Sequence, residues 1–142
     1  MDKKALFQKF VAFTSSVHHV THEMTKDVKS DAITPVQYSI LEYIAVSQPV
    51  TLSQISDCQH MSLPNTSREL KKLSEKNLCE KFAVAEDRRK QYIRLSEEGE
   101  AMMNEAFKQI EIRFWQRIKD ASDEDIEEIN RSLEVLISKV FY

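Results

Sequence analysis

Glycine and proline are scarce in this chain, which has one glycine and three prolines among 142 residues. Glycine-rich phosphate loops and nucleophile elbows need glycines at fixed positions, so the composition argues against most enzymes built on such sites. Few glycines and prolines also leave few positions for tight turns and long loops. The sequence therefore predicts a mainly helical protein that is not an enzyme, and its length fits one domain, residues 1–142.

Long apolar runs and cysteine-rich motifs are also missing. No apolar run is long enough to cross a membrane, and the first residues lack the apolar stretch of a secretory signal. The two cysteines, Cys58 and Cys79, have neither the spacing of a zinc motif nor the number of a disulfide framework. We therefore expect a cytoplasmic protein with reduced thiols, in which Cys58 is either a small half-buried residue or an oxidant sensor.

The net negative charge conceals a basic middle segment. The formal charge of the chain is −3, which by itself argues against a nucleic-acid partner. Residues 1–50 carry five basic and five acidic side chains, residues 51–95 carry nine and six, and residues 96–142 carry six and twelve. Subtraction gives 0, +3 and −6 for the three segments. Because salt screens charges beyond about 10 Å, the local basic segment is where DNA would bind.

Residues 53–95 are predicted to form a short helix, a turn, a second helix and two strands. Ser62 is a favourable N-cap of the second helix, and Pro64 lies in its first turn. Three leucines at helical spacing, Leu63, Leu70 and Leu73, are expected to face the core and to leave a polar face outward. That face, with the N-terminus of the short helix, offers donors for bases and phosphates. The predicted DNA-contacting residues of the two helices are Ser53, Gln54, Ser62, Pro64, Asn65, Thr66, Ser67, Arg68, Lys71 and Lys72.

Two short strands are predicted after the second helix. Residues 78–84 and 91–95 are rich in β-branched and aromatic side chains, which suits a hairpin. Cations at a hairpin tip can reach a phosphate backbone or enter a minor groove, although a solvated charged turn is the alternative. The predicted DNA contacts in the loop between the strands are three consecutive cations, Arg88, Arg89 and Lys90.

The helix before this region is predicted from its cap. Thr34 and Gln37 have the spacing of a capping box, which Thr51 and Gln54 repeat at the start of the short helix. The residues of the earlier helix expected in the core are Val36, Ile40, Leu41, Ile44 and Ala45.

Three segments of the chain resemble the MarR family of transcriptional regulators. Residues 73–78 have the sequence LSEKNL, residues 86–100 have EDRRKQYIRLSEEGE, and residues 33–41 have ITPVQYSIL. In that family these segments end the recognition helix, form a wing with an Asp-x-Arg element, and enter the second helix. The resemblance covers essentially the whole chain. Two residues depart from the family pattern: Asn77 stands where Gly is common, and Lys90 where a small residue is common.

The resemblance implies a mainly α fold, namely a winged helix-turn-helix with a small β-hairpin wing and terminal helices forming an intertwined dimerisation region. It implies a DNA-binding lobe at residues 32–99 and dimerisation helices at residues 1–31 and 100–142. The implied function is a homodimeric repressor of a pseudo-palindromic operator in double-stranded DNA, released by a small ligand. Asp87 is expected to orient Arg89 by a charge-assisted hydrogen bond. The alternatives are a winged-helix protein-interaction module and a metal- or redox-sensing regulator of the same fold.

Apolar stripes at helical spacing lie near both ends of the chain. One runs from Leu6 to Val28, and the others run from Met103 to Ile118 and from Ile126 to Val140. A single subunit of this size has little surface to cover such stripes, so they predict dimerisation. The residues of the first stripe are Leu6, Phe10, Phe13, Val17, Val20, Met24 and Val28.

A small aromatic or phenolic effector is expected to bind beside the dimerisation helices, where ligands of the resembled family often lodge. The alternative is that the candidate side chains simply fill the core. His18 and His22 have the i, i+4 spacing of a chelating pair, but a complete ligand set cannot be assigned, so no metal or cofactor is predicted. The candidate effector-pocket residues are Phe13, Val17, His18, Tyr38 and Phe114.

Overall fold

The computed structural model describes residues 1–142, except for the side chain of Arg88. These residues form six helices and a two-stranded antiparallel hairpin, which confirms the mainly α fold with a small hairpin wing. The chain divides into two compact units, residues 1–110 and residues 111–142. The elements are α1 (Lys3–Thr25), α2 (Pro35–Ser47), α3 (Leu52–Gln59), α4 (Leu63–Glu75), β1 (Cys79–Val84), β2 (Asp87–Leu95), α5 (Glu97–Arg117) and α6 (Asp123–Lys139).

Both predicted capping boxes are present at the starts of α2 and α3. The Thr34 hydroxyl accepts from the Gln37 amide at 3.2 Å, and the Gln37 side chain accepts from the Thr34 amide at 3.1 Å. Thr51 and Gln54 form the same pair of bonds, at 3.2 and 2.9 Å. Each box satisfies backbone N–H groups that a helix leaves without an internal partner, so short helices can begin at defined residues.

The core of the first unit lies where α2, α3 and α4 meet the hairpin. Ile40, Leu41 and Ile44 of α2 are fully buried, as the sequence predicts. Removing such a side chain from water contributes about 1.5–3 kcal/mol, so this cluster holds the helices against the hairpin. The other members of the buried cluster are Ile33, Val50, Ile55, Leu70, Leu73, Leu78, Cys79, Ile93, Leu95 and Met103.

Two apolar residues that were expected in the core are exposed instead. Val36 is 45% exposed and Leu63 is 49% exposed, so these two predictions are wrong. Val36 lies in the first turn of α2, where Gln37 takes the buried position. Leu63 is the first residue of α4, and the buried side of that helix begins at Thr66, one turn later. The sequence pattern extends the apolar stripe to the first turn of each helix, whereas the first buried residues are Gln37 of α2 and Thr66 of α4.

The hairpin has a bulge at its tip. Ala83 lies opposite Gln91, and the next pair joins Val84 to Asp87, so β2 advances four residues while β1 advances one. Residues 88–90 therefore have no partners in the ladder and protrude as an enlarged bulge. The sequence predicted a loop over residues 85–90 and a second strand that begins at Gln91. The second strand instead begins at Asp87, because the ladder resumes beyond the cations.

The start of α5 packs tightly on the end of α4. Asn77 has a φ of 60°, the left-handed conformation in which Asn ends a helix. The Ser96 hydroxyl donates to the Asn77 carbonyl at 2.6 Å and accepts from the Gly99 amide at 3.0 Å. A Cβ at Gly99 would overlap the carbonyl oxygen of Leu78. The single glycine of the chain is therefore required by close approach of two backbones.

The apolar stripe of α1 is only partly covered within the described part of the first unit, since Leu6, Phe13 and Val17 are exposed. None of its residues from Lys3 to Thr25, all of which are described, is buried. The helix ends at Thr25, so Val28, which was expected on the stripe, lies in the linker to α2, where it is buried. In the second unit, none of the described residues of α6 is buried either. No helix among the described residues is long and apolar enough to cross a membrane.

Candidate nucleic-acid interface

The outer face of α4 presents amide and cationic side chains to solvent. Leu70 and Leu73 are buried on the opposite side of the helix, and this anchors it to the core. Asn65, Arg68 and Lys71 are exposed. Amide and guanidinium groups form paired hydrogen bonds with adenine and guanine, and ammonium groups suit phosphates. This face therefore has the chemistry to contact both base edges and backbone.

Thr66 does not belong to that face. Its side chain is fully buried, and its hydroxyl donates to the Ser62 carbonyl at 2.8 Å. The prediction that Thr66 contacts DNA is therefore wrong. Ser62 is the N-cap of α4, and its hydroxyl accepts from the Asn65 amide at 3.2 Å. The role of a hydroxyl residue in the first turn cannot be read from the sequence. Such a residue can cap the helix, donate from a buried position to a backbone carbonyl one turn earlier, or be exposed at the surface.

Arg68 lies along the surface of α4. Its Nε donates to the Pro64 carbonyl at 3.4 Å, which holds the side chain against the first turn of its own helix. Lys72 pairs with Glu69 at 3.4 Å, while its side chain stays largely exposed. A pair whose lysine is this exposed contributes little to stability and can open when a phosphate approaches. Pro64 and Ser67 are exposed on the same helix.

The bulge of the hairpin presents cations at the wing. Asp87 accepts from the backbone amide of Arg89 at 3.0 Å, which fixes the start of the bulge. Arg89 and Lys90 are exposed. The Arg88 side chain lies outside the described atoms, so its predicted contact with DNA has no structural account. The prediction that Asp87 orients Arg89 for DNA binding stays a prediction.

The base of the wing is braced by an arginine that sequence reasoning missed. Arg94 of β2 bonds Glu80 of β1 at 2.8 Å, and its guanidinium lies 4.3 Å from the centre of the Phe82 ring. The Phe82 and Tyr92 rings are 6.0 Å apart. Cross-strand pairs of this kind contribute about 0.2–1 kcal/mol each. Arg94 therefore stiffens the hairpin. The signal that could have found it is the antiparallel register, which pairs Glu80 with Arg94.

The N-terminus of α3 is the start of the helix-turn-helix that α3 and α4 form. Ser53 and Gln54 are exposed there, and the side-chain oxygen of Gln54 is occupied by the capping bond to Thr51. His60 ends α3 in the left-handed conformation, with a φ of 53°. The turn from His60 to Ser62 then leads into α4. The predicted phosphate contacts of Ser53 and Gln54 stay predictions.

Comparison with known proteins identifies this architecture. A family model described as the MarR family matches residues 33–90. Residues 33–90 therefore match a MarR family domain. The transcriptional regulator TcaR of Staphylococcus aureus strain Newman is 26% identical over 130 residues, which cover 90% of this chain and 86% of TcaR. The resemblance found in the sequence is thereby confirmed.

Solved structures share the fold of the whole chain. A MarR family protein from Bacillus stearothermophilus has a TM-score of 0.80 at 17% identity, covering 100% of this chain and 99% of that one. S. aureus MepR bound to ethidium bromide has a TM-score of 0.65 at 21% identity, covering 90% and 96%. A MepR variant bound to an oligodeoxyribonucleotide has a TM-score of 0.58 at 20% identity, covering 90% and 97%.

A cavity of about 410 Å³ lies beside the MarR domain in the first unit. Its walls come from the α1–α2 linker, from Tyr38 of α2 and from α5. Tyr38 is the predicted pocket residue that lines it. Phe13, Val17 and His18 are exposed on α1 and are not among its lining residues. Phe114 belongs to the second unit, where its ring contacts Trp115 at 5.4 Å. The lining residues are Asp27, Val28, Lys29, Ser30, Asp31, Ile33, Tyr38, Met102, Met103, Glu105, Ala106 and Gln109.

The hydroxyl of Tyr38 is buried and has no hydrogen-bond partner among the described groups. Burial is the main reason that its pKa rises to about 12, and the negative charge of nearby Glu42 adds to the effect. Glu42 acts on the hydroxyl through its charge, since the pair does not meet hydrogen-bond geometry. Tyr38 is therefore a neutral phenol at the edge of the cavity at any physiological pH.

The two cysteines of the chain differ in environment. Cys58 of α3 is exposed, and Cys79 of β1 is buried. Burial raises the pKa of the Cys79 thiol to about 11, with Lys81 lowering it and Glu80 raising it further. A thiol with a raised pKa is a poor nucleophile, so Cys79 is a packing residue. The expectation of a half-buried Cys58 is wrong, because the side of α3 that carries it faces solvent.

The histidines of α1 do not assemble a metal site in the described structure. His18 and His22 are exposed, and His19 lies 3.2 Å from Glu23. No group of three or more His, Cys, Asp or Glu side chains among the described residues could hold a metal ion. In the single chain these three histidines are exposed surface residues.

Proposed function

We propose that this protein is a sequence-specific DNA-binding transcription regulator that acts as a homodimeric repressor. The observation that carries the proposal is the polar outer face of α4, held by buried leucines and flanked by the cationic bulge of the wing. The match to the MarR family model supports it, as does the solved MepR variant with bound oligodeoxyribonucleotide.

In this proposal α4 lies in a major groove. Asn65 and Arg68 contact base edges, and Lys71 and Lys72 hold phosphates. Arg89, together with Arg88 and Lys90, reaches the flanking minor groove. Because the chain as a whole is negative, these local cations supply the attraction that brings DNA to this face.

The dimer rests on the uncovered apolar faces of the terminal helices. Leu6, Phe7 and Val11 are exposed on α1, and Leu133 and Ile137 are exposed on α6. Contiguous apolar patches of this kind are rare on stable monomers. A twofold dimer would place two copies of α4 about one helical turn of DNA apart, which matches a pseudo-palindromic operator.

The cavity beside Tyr38 is the candidate effector site. Its volume lies within the range of small-molecule pockets, and it joins apolar walls to a few polar groups. The ligand class that we propose is a small aromatic or phenolic compound. The MepR complex with ethidium bromide supports the general idea of a small-molecule site on this fold. To release DNA, the ligand must bind the DNA-incompetent state more tightly, by about 1.4 kcal/mol for each tenfold loss of affinity.

Selection of binding sites from random DNA tests the proposal. The wild-type protein should enrich a pseudo-palindrome, and Arg68→Ala should relax preference at one position in each half-site, at a cost of about 1–3 kcal/mol. Lys108→Ala of α5 removes one exposed charge outside the proposed interface and is the control. Enrichment of no sequence by the wild-type protein would refute sequence-specific binding.

A further inference from the structure

A chain of polar contacts joins the recognition helix to the α1–α2 linker. The ammonium of Lys76, at the C-cap of α4, donates to the Ala32 carbonyl of the linker at 2.6 Å and to the Gln37 side-chain oxygen at 3.2 Å. The Gln37 amide nitrogen donates to Glu69 of α4 at 3.2 Å. Two segments that are distant in sequence, residues 32–37 and residues 69–76, therefore meet around one amide.

Gln37 is suited to be the centre of these contacts. It is 3% exposed, and its oxygen accepts from the Thr34 amide as well as from Lys76. Its nitrogen faces the Glu69 carboxylate, which can accept but cannot donate. The amide can therefore take only one orientation. A buried amide that loses its partners is costly, so the positions of these partners are coupled.

The same linker forms a wall of the cavity. Lys29 lines the cavity and donates to the Ser30 carbonyl at 3.0 Å and the Ile33 carbonyl at 2.6 Å. The carbonyl next to that of Ile33, on Ala32, is the one that Lys76 holds. Two lysines thus bind adjacent linker carbonyls, one lysine from the cavity wall and one from the recognition helix.

We propose that Lys76, acting through Gln37 and Ala32, is a positioning residue that couples the conformation of the linker to the seating of α4 on DNA. The inference rests on the proposed DNA-binding function and adds a route that connects the cavity wall to the recognition helix. It does not require Lys76 to touch DNA. By linkage, if the linker conformation changes the affinity of α4 for DNA by some factor, DNA binding shifts the linker equilibrium by the same factor.

Hydrogen exchange measured on residues 26–34, with and without a saturating selected operator duplex, tests the coupling. In the wild-type protein the duplex should slow exchange in this segment by about fivefold or more, the lower end of coupling between sites. Lys76→Met should abolish the slowing at saturating DNA, and Lys76→Arg, which retains donors and charge, should preserve most of it. Lys108→Met, which removes an exposed lysine of α5, should behave as the wild type.

Operator affinity separates positioning from direct contact. If Lys76 positions α4, Lys76→Met and Gln37→Met should each weaken binding, and their combined effect should be smaller than the sum of the two in free energy. A lost phosphate contact would instead lower the magnitude of the salt slope by about 0.9 and would add to the Gln37 effect. That result would overturn the proposal, as would DNA protection of the linker that persists in Lys76→Met. A wild-type protein that binds no selected DNA would refute the DNA-binding function itself, which is a different outcome.

Discussion

Gly99→Ala is expected to destabilise the protein, although it replaces a helical glycine by the best helix former. The added Cβ would overlap the carbonyl oxygen of Leu78, which is backbone and cannot rotate away. Either α5 or the segment before β1 must move. That carbonyl also accepts from the Ser96 amide at 3.2 Å, and the Ser96 hydroxyl accepts from the Gly99 amide at 3.0 Å. Movement would strain both hydrogen bonds.

The magnitudes decide the sign of the effect. Alanine would contribute at most about 1 kcal/mol through helix propensity. Overpacking costs about 1–3 kcal/mol, and each weakened hydrogen bond adds about 0.5–1.5 kcal/mol. The steric and hydrogen-bond terms win, so we expect a loss of about 2–4 kcal/mol in the free energy of unfolding.

Urea unfolding followed by circular dichroism at one fixed protein concentration measures this loss. Ala101→Gly, an exposed change two residues along α5, is the matched control, because it reports helix propensity without a steric term. It should cost about 0.5–1 kcal/mol. A Gly99→Ala protein as stable as the wild type, or more stable, would show that the two backbones are not in close contact in solution.

Four further predictions concern the wing, the cavity, the thiols and the assembly. Arg89→Ala should weaken operator binding by about 1–3 kcal/mol and reduce its salt dependence, and an unchanged affinity and salt slope in titration would contradict a DNA-contacting wing. Tyr38→Phe removes a buried hydroxyl without a partner, so urea unfolding should show unchanged stability or a gain of up to about 1–2 kcal/mol, whereas a clear loss would reveal an unseen hydrogen bond. Iodoacetamide at pH 8 should label Cys58 and spare Cys79 in the folded protein, and rapid labelling of both thiols, measured by mass spectrometry, would contradict the burial of Cys79. Because the folded-state pKa of Cys79 is raised from 9.0 to about 11, the contribution of this thiol to stability is present below pH 9 and is lost as pH rises through 11. Sedimentation should show a dimer, and the unfolding midpoint should rise with protein concentration. A folded monomer at micromolar concentration would refute the assignment of the apolar terminal faces to a dimer interface.

Local features were determined by the sequence alone. The capping boxes at Thr34 and Thr51 require only residue types three positions apart, because each cap is built within one turn of helix. The left-handed conformation at Asn77 is likewise a property of one residue at a helix end. These signals, with the apolar periodicity, predicted the order of helix, turn, helix and hairpin, and the resemblance to the MarR family implied the winged helix-turn-helix.

The limits of the core and the tip of the wing were decided by tertiary structure. Periodicity placed Leu63 with Leu70 on the buried face, but it could not show that the core ends one turn before the helix does. The bulge that begins after Asp87 depends on how β2 pairs with β1, and pairing across a hairpin is not set by either strand alone.

The polar contacts around α4 show most clearly which features are set by local sequence and which by tertiary structure. The sequence predicted Gln37 as half of a capping box, which is a local role. Its bonds to Lys76 and Glu69 join residues 39 and 32 positions away. Thr66 was predicted at the surface and is buried, because its neighbours come from other segments of the chain. Sequence determines what a side chain can donate or accept, but only the packing of distant segments decides which partner it meets and whether water reaches it.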